Sequence, residues 1–96
     1  ERTAVYADPA ALPTLVLRTR RAGDYMRLPV GRRKLKDILI DDKIPREERD
    51  TLPLLAIAGT SEIFWIAGGR RSVLAPVTIP SDPVLRIAYD EGDDSQ

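Results

Sequence analysis

Two short apolar stretches, residues 52–58 (LPLLAIA) and 62–67 (EIFWIA), flank Gly59-Thr60-Ser61. Two β-rich runs joined by a short Gly-containing loop predict an antiparallel hairpin. Side chains alternate between the faces of a strand, and here both faces are apolar. Leu54 and Ala56 stand against Leu55 and Ile57, and Ile63 and Trp65 against Phe64 and Ile66. Such strands need cover on both sides, so the hairpin belongs in the middle of a layered domain rather than on an open face. Trp65 is read there as a core residue whose indole N–H requires a partner, with base stacking as the alternative.

Ninety-six residues supply one modest core and therefore one domain. The expected class is α+β, with mixed or antiparallel strands, one amphipathic helix over about 34–43 and a second short helix over about 45–51. In the helix, Leu35, Ile38 and Leu39 recur at i, i+3 and i+4 and make one apolar stripe. Pro45 suits a helix start and Glu47-Glu48 a first turn. Arg46 and Arg49 are read as ion-paired to Glu47, Glu48 or Asp50.

Residues 1–13 are expected to be a linker or first edge strand. Ala4-Val5-Tyr6-Ala7 can form a short strand before Asp8-Pro9 and Leu12-Pro13 favour extended or turn backbone. The domain proper is read as 14–89. Residues 14–20 (TLVLRTR) read as a strand that places Arg18 and Arg20 on one face. Ala22-Gly23-Asp24 reads as a turn and 25–28 as a second extended piece closed by Pro29 and Gly31. Residues 73–79 read as a Pro-interrupted edge strand and 84–89 as the last strand. Residues 90–96 (DEGDDSQ), with four acids, read as a disordered acidic tail.

The formal charge is zero, with 15 basic and 15 acidic residues, but its distribution is uneven. Residues 18–36 hold eight cations (Arg18, Arg20, Arg21, Arg27, Arg32, Arg33, Lys34, Lys36) against Asp24 alone. A neutral chain that gathers positive charge into one segment presents that segment to an anion. Cations at a helix start oppose the macrodipole, an opposition that a phosphate bound at the outward-pointing amides would relieve; the alternative is a solvated charged face. Gly68-Gly69-Arg70-Arg71 is a second, weaker phosphate-binding candidate.

Several function classes are excluded. With no Cys and no His there is no disulfide, thiolate nucleophile, Cys/His zinc site or imidazole-based triad. No apolar run approaches the roughly 18 residues of a membrane span. Neither G-x-x-x-x-G-K-[ST] nor G-x-G-x-x-G occurs. Asp41-Asp42 reads as a solvated pair rather than a metal site. No catalytic residue and no cofactor is expected within these residues, and a chain that starts at Glu1 reads as part of a longer protein.

RTRRAGDYMRL (18–28), KLKDILIDDKIPREERDTLPLL (34–55) and EIFWIAGGR (62–70) stand in a fixed order and spacing. Together they resemble the C-terminal domain of the tRNA(Ile)-lysidine synthase family over roughly residues 15–71. The matching features are Arg18 and Arg20, Gly23-Asp24, the basic loop from Gly31, Lys34-Leu35-Lys36, Lys43-Ile44-Pro45, Arg49, the Pro53-led strand and the Trp65 strand closing in Gly and Arg70. Ala22 departs from the Pro common before Gly-Asp, and the loop before Lys34 is short.

The resemblance implies a bacterial, cytoplasmic, ATP-dependent ligase that attaches lysine to the wobble cytidine of tRNA(Ile). ATP with magnesium, and lysine, would be held by an N-terminal catalytic domain of the same chain. The domain read here would be a small β-sandwich-like α+β unit that holds the tRNA, at the acceptor stem. The A-form major groove is too narrow for side chains, so contact would be to backbone and shape. The expected RNA-binding residues are Arg32, Arg33, Lys34 and Lys36, then Arg20 and Arg27, then Arg70. The alternative is a protein-interaction or homodimerisation domain that uses the apolar strands of 52–67 and the edge at 73–79.

Overall fold

The predicted hairpin forms as β5 (Leu54–Ile57) and β6 (Ile63–Ile66), with Ile57 N–H donating to Glu62 O at 2.9 Å. The computed structural model describes residues 4–77 and 83–89. In chain order the remaining elements are β1 (Ala4–Ala7), β2 (Leu15–Arg18), β3 (Tyr25–Leu28), β4 (Gly31–Lys34), α1 (Leu35–Asp41), one 3-10 turn (Arg46–Glu48) and β7 (Leu85–Ala88). The described strands make three antiparallel sheets: β2-β5-β6, β3-β4 and β1-β7. One parallel bridge, Tyr25 to Glu62, joins β3 to the start of β6. This is the α+β architecture expected.

The central sheet is covered on both sides. One core contains Leu54, Ala56, Ile63 and Ile66 with Met26, Leu28 and the α1 stripe Leu35, Ile38 and Leu39. The other contains Phe64 and Trp65 with Val5, Ala7 and Ala75, and with Leu15, Leu55 and Ile87 packed around them. The face assignment of β6 therefore needs correction. Strict alternation would separate Phe64 from Trp65, but the register passes from Leu55↔Trp65 to Ala56↔Ile63, leaving Phe64 as an extra residue. That bulge turns both aromatic rings to the β1–β7 side and leaves Ile63 and Ile66 for the helix side. Trp65 is a core residue, 1% exposed, and its Nε1–H has no acceptor among the described residues.

The outer edge of β6 is closed too. Gly68, at φ +78°, turns the chain back so that Ile66 N–H reaches Arg70 O (2.9 Å) and Ser72 N–H reaches Phe64 O (2.7 Å). Beyond it, residues 73–77 form no strand: Ala75 sits at φ +53°, which breaks the extended run expected there. Residues 78–79, and the tail at 90–96, lie outside the described residues. The last strand forms as β7 and pairs with β1, from Ala4↔Ala88 to Ala7↔Leu85.

The helix is shorter than its apolar stripe suggested. Lys43 N–H bonds Ile40 O and Ile44 N–H bonds Leu39 O, both at 3.0 Å, with Lys43 at φ +58°. This is a Schellman close with lysine in the left-handed position that glycine usually takes. The second helix is only the single 3-10 turn, because Pro45 stays extended at ψ 139° and caps it from outside. Among the described residues no acid pairs with Arg46 or Arg49, contrary to expectation; Arg49 Nε donates to Ile44 O at 2.9 Å, which holds the chain leaving the helix.

Candidate nucleic-acid interface

The site is built on the turn before β3. Asp24 N–H closes onto Arg21 O at 3.2 Å with Gly23 at φ +89°, a positive angle at the third position, as a type II turn requires. The Asp24 carboxylate is buried and takes three donors: both terminal nitrogens of Arg18 at 2.9 Å and the Arg21 N–H at 2.8 Å. Its carbonyl accepts the Leu35 N–H at 2.9 Å, which ties the turn to the start of α1. The hydrogen bond to Asp24 raises Arg18 above the usual guanidinium pKa. Arg18 is thus part of the frame, and Arg20, beyond the end of β2, does not share a strand face with it. Since Asp24 takes the Leu35 amide, that group is not open to a ligand.

The basic loop expected before the helix is instead strand β4. A two-residue turn, Pro29-Val30, with Gly31 at φ +123°, folds it back on β3. The register sets Tyr25 opposite Lys34, Met26 opposite Arg33 and Arg27 opposite Arg32. Because cross-strand partners share a face, the cluster Arg32-Arg33-Lys34 is split. Arg32 and Lys34 join Tyr25 and Arg27 on one side. Arg33 falls on the side of the buried Met26 and reaches out to Asp41 at 2.6 Å. On the first face the Arg32 guanidinium lies 4.0 Å from the Tyr25 ring centre. Glu62, buried at the edge of that face, sits 3.0 Å from Arg27 Nε and accepts from Tyr25 Oη at 3.3 Å.

The cations therefore fall into two groups. Five arginines hold carboxylates: Arg18 with Asp24, Arg20 with Asp50, Arg27 with Glu62, Arg33 with Asp41 and Arg70 with Asp42. Arg70 grips Asp42 through Nε and Nη2 at 2.6–3.0 Å, and that bond raises its pKa. Arg71 donates to the carbonyls of Tyr6, Ser72 and Leu74 and lies over Phe64; burial lowers its pKa from the usual guanidinium value. The Gly-Gly-Arg-Arg turn is consequently a structural staple rather than an open cradle.

Like Arg32, Lys43 and Arg46 elsewhere, Lys34, Lys36 and Arg21 have no carboxylate partner among the described residues. All three line one cleft of about 570 Å³ between the Gly23 turn and the start of α1, with the Arg20–Asp50 pair on its rim. Of the residues singled out from sequence, the structure brings Lys34, Lys36 and Arg20 to this cleft, and Arg27 and Arg32 to the adjoining strand face. Arg33 and Arg70 are drawn to the far end of α1. Arg21 was missed; its signal was its place as the first residue of the Gly-Asp turn. Among the described residues, no three His, Cys, Asp or Glu side chains are placed to hold a metal, and no helix is long and apolar enough to cross a membrane.

A family model described as the TilS substrate C-terminal domain matches residues 15–72. The chain belongs to the TilS substrate C-terminal domain family. It is 40% identical over 77 residues to tRNA(Ile)-lysidine synthase of Bacillus subtilis, and 47% identical over 79 residues to the enzyme of that name from Persephonella marina. These alignments cover 78% and 79% of this chain but only 16% and 17% of the relatives, so the chain spans about a sixth of their length. A crystal structure of a TilS C-terminal domain superposes with TM-score 0.69 at 34% identity, covering 94% of this chain and 73% of that one. The stretch matched to the TilS family contains the Gly23 turn, the β3–β4 hairpin, α1 and the cleft, whereas β1 and β7 flank it.

Proposed function

We propose that this chain is the tRNA-binding C-terminal domain of a ligase that attaches lysine to the wobble cytidine of tRNA(Ile), and that it contacts the acceptor stem. One observation carries the reading: three cations without carboxylate partners among the described residues gather at one cleft, next to a strand face bearing Arg32, while five arginines are fixed in ion pairs. A free ammonium gains a phosphate without breaking an existing pair and releases condensed counterions from the RNA. The site reads backbone and shape, as A-form RNA demands. The names of the relatives support the parent activity. ATP with magnesium, and lysine, belong in this proposal to the N-terminal catalytic domain of a cytoplasmic bacterial enzyme, since this chain offers neither a Gly-rich phosphate loop nor a metal-holding group among its described residues.

The test is titration of the chain with tRNA(Ile) at several salt concentrations, wild type against Lys34→Ala/Lys36→Ala. Binding should weaken with salt at a log–log slope of roughly −0.9 per phosphate contact, and the double variant should lose about two contacts' worth of slope. Salt-independent affinity would sink the reading.

Self-association is a second reading, on different grounds from those the sequence suggested. The strands of 52–67 are covered and residues 73–77 form no strand, but β2 is an edge strand whose Leu17 is 68% exposed. A concentration-independent monomer in sedimentation would remove it.

A further inference from the structure

We propose that the cleft seats a terminal phosphomonoester, the 5′-phosphate at the end of the bound RNA, rather than an internal phosphodiester; this rests on the tRNA-binding reading above. The cleft is concave, and at about 570 Å³ it is in the range that takes one small-molecule-sized group. Arg21, Lys34 and Lys36 line it without carboxylate partners among the described residues, and the two acids that line it, Asp24 and Asp50, do not offset them. Asp24 is already neutralised by Arg18, and Asp50 by Arg20.

Three cations without carboxylate partners among the described residues, around one half-open cleft, overmatch an internal phosphodiester, which carries one charge. A terminal phosphomonoester carries about −1.5 to −2 at neutral pH and offers three acceptor oxygens. Cations that track a backbone are strung out along it rather than gathered at one cleft. The cleft wall is also fixed before any ligand arrives, by the Arg18–Asp24 pair and the Leu35-to-Asp24 hydrogen bond, so little ordering is left for binding to supply. The 5′ end of a tRNA lies on its acceptor stem. A site that grips that end fixes the register of the whole stem against the domain.

The experiment compares tRNA(Ile) carrying a 5′-phosphate with the same RNA after phosphatase treatment, at constant ionic strength. Removing the phosphate should weaken binding by about tenfold, the loss of a charge-assisted contact. Lys36→Ala and Arg21→Ala should abolish that preference, whereas Arg32→Ala should weaken both RNAs alike and keep it. Adenosine 5′-monophosphate should compete with the phosphorylated RNA only, down to the level of the dephosphorylated form, and adenosine should not compete. Equal, salt-sensitive binding of both RNAs would overturn the proposal and leave the tRNA-binding reading standing. Competition by the nucleotide against both RNAs alike would also overturn it, by showing that the cleft does not take the RNA end. If neither RNA binds, both readings fail together.

Discussion

Arg18 holds both carboxylate oxygens of Asp24, each at 2.9 Å, with the Asp24 side chain 1% exposed. The pair locks the end of β2 to the Gly23 turn, and the turn in turn locks the start of α1. Removing one partner strands the other charge out of water. Arg18→Met is expected to cost ~3–5 kcal/mol, the range for an uncompensated buried charge, read as a lower urea midpoint. A loss near the ~1 kcal/mol of an exposed pair would show that water reaches Asp24.

The same turn makes opposite predictions for adjacent positions. Ala22 is the second residue of a type II-like turn, where proline's fixed φ fits, so Ala22→Pro should stabilise by ~0.4–1 kcal/mol through the unfolded chain. Gly23 sits at φ +89° with open space around its missing Cβ. Gly23→Ala should therefore destabilise by ~1–2 kcal/mol from backbone strain alone. Thermal melts of both variants would check the pair of signs.

Lys43 closes α1 at φ +58°. Lys43→Gly should raise stability by about 1 kcal/mol, because glycine adopts this conformation without the Cβ penalty. An unchanged urea slope beside the raised midpoint would confirm that the gain is local.

Charge removal should separate binding from folding. Lys36→Ala is expected to reduce the salt slope of tRNA binding by about 0.9 and to leave stability within about 0.5 kcal/mol. Arg70→Ala should do the reverse: the Asp42 pair is partly exposed, so up to ~1 kcal/mol is lost while the salt slope stays put. A large slope change for Arg70→Ala would place the RNA near the far end of α1.

Much of the fold was legible because its signals are local. The doubly apolar hairpin, the Leu35-Ile38-Leu39 stripe and the Gly-Asp turn each declare themselves within a few residues. The bulge at Phe64 did not, since it is set by two cores competing for one strand. Strand β4 was hidden because Gly-Arg-Arg-Lys has no strand propensity and is made extended by its pairing with β3. The site was legible as a region but not residue by residue. Whether an arginine is free depends on carboxylates far along the chain: Asp50 lies 30 residues from Arg20, and Asp42 lies 28 from Arg70.

The division between paired and unpaired cations bears on how such a domain can change. On the tRNA-binding proposal, substitutions at Arg21, Lys34 and Lys36 would alter grip on a polyanion one charge at a time without disturbing the frame that carries them. A lineage living at higher intracellular salt can compensate by adding charge around this cleft. One living at higher temperature can reinforce the arginine–carboxylate pairs instead. The two adjustments use different residues, so neither adaptation constrains the other.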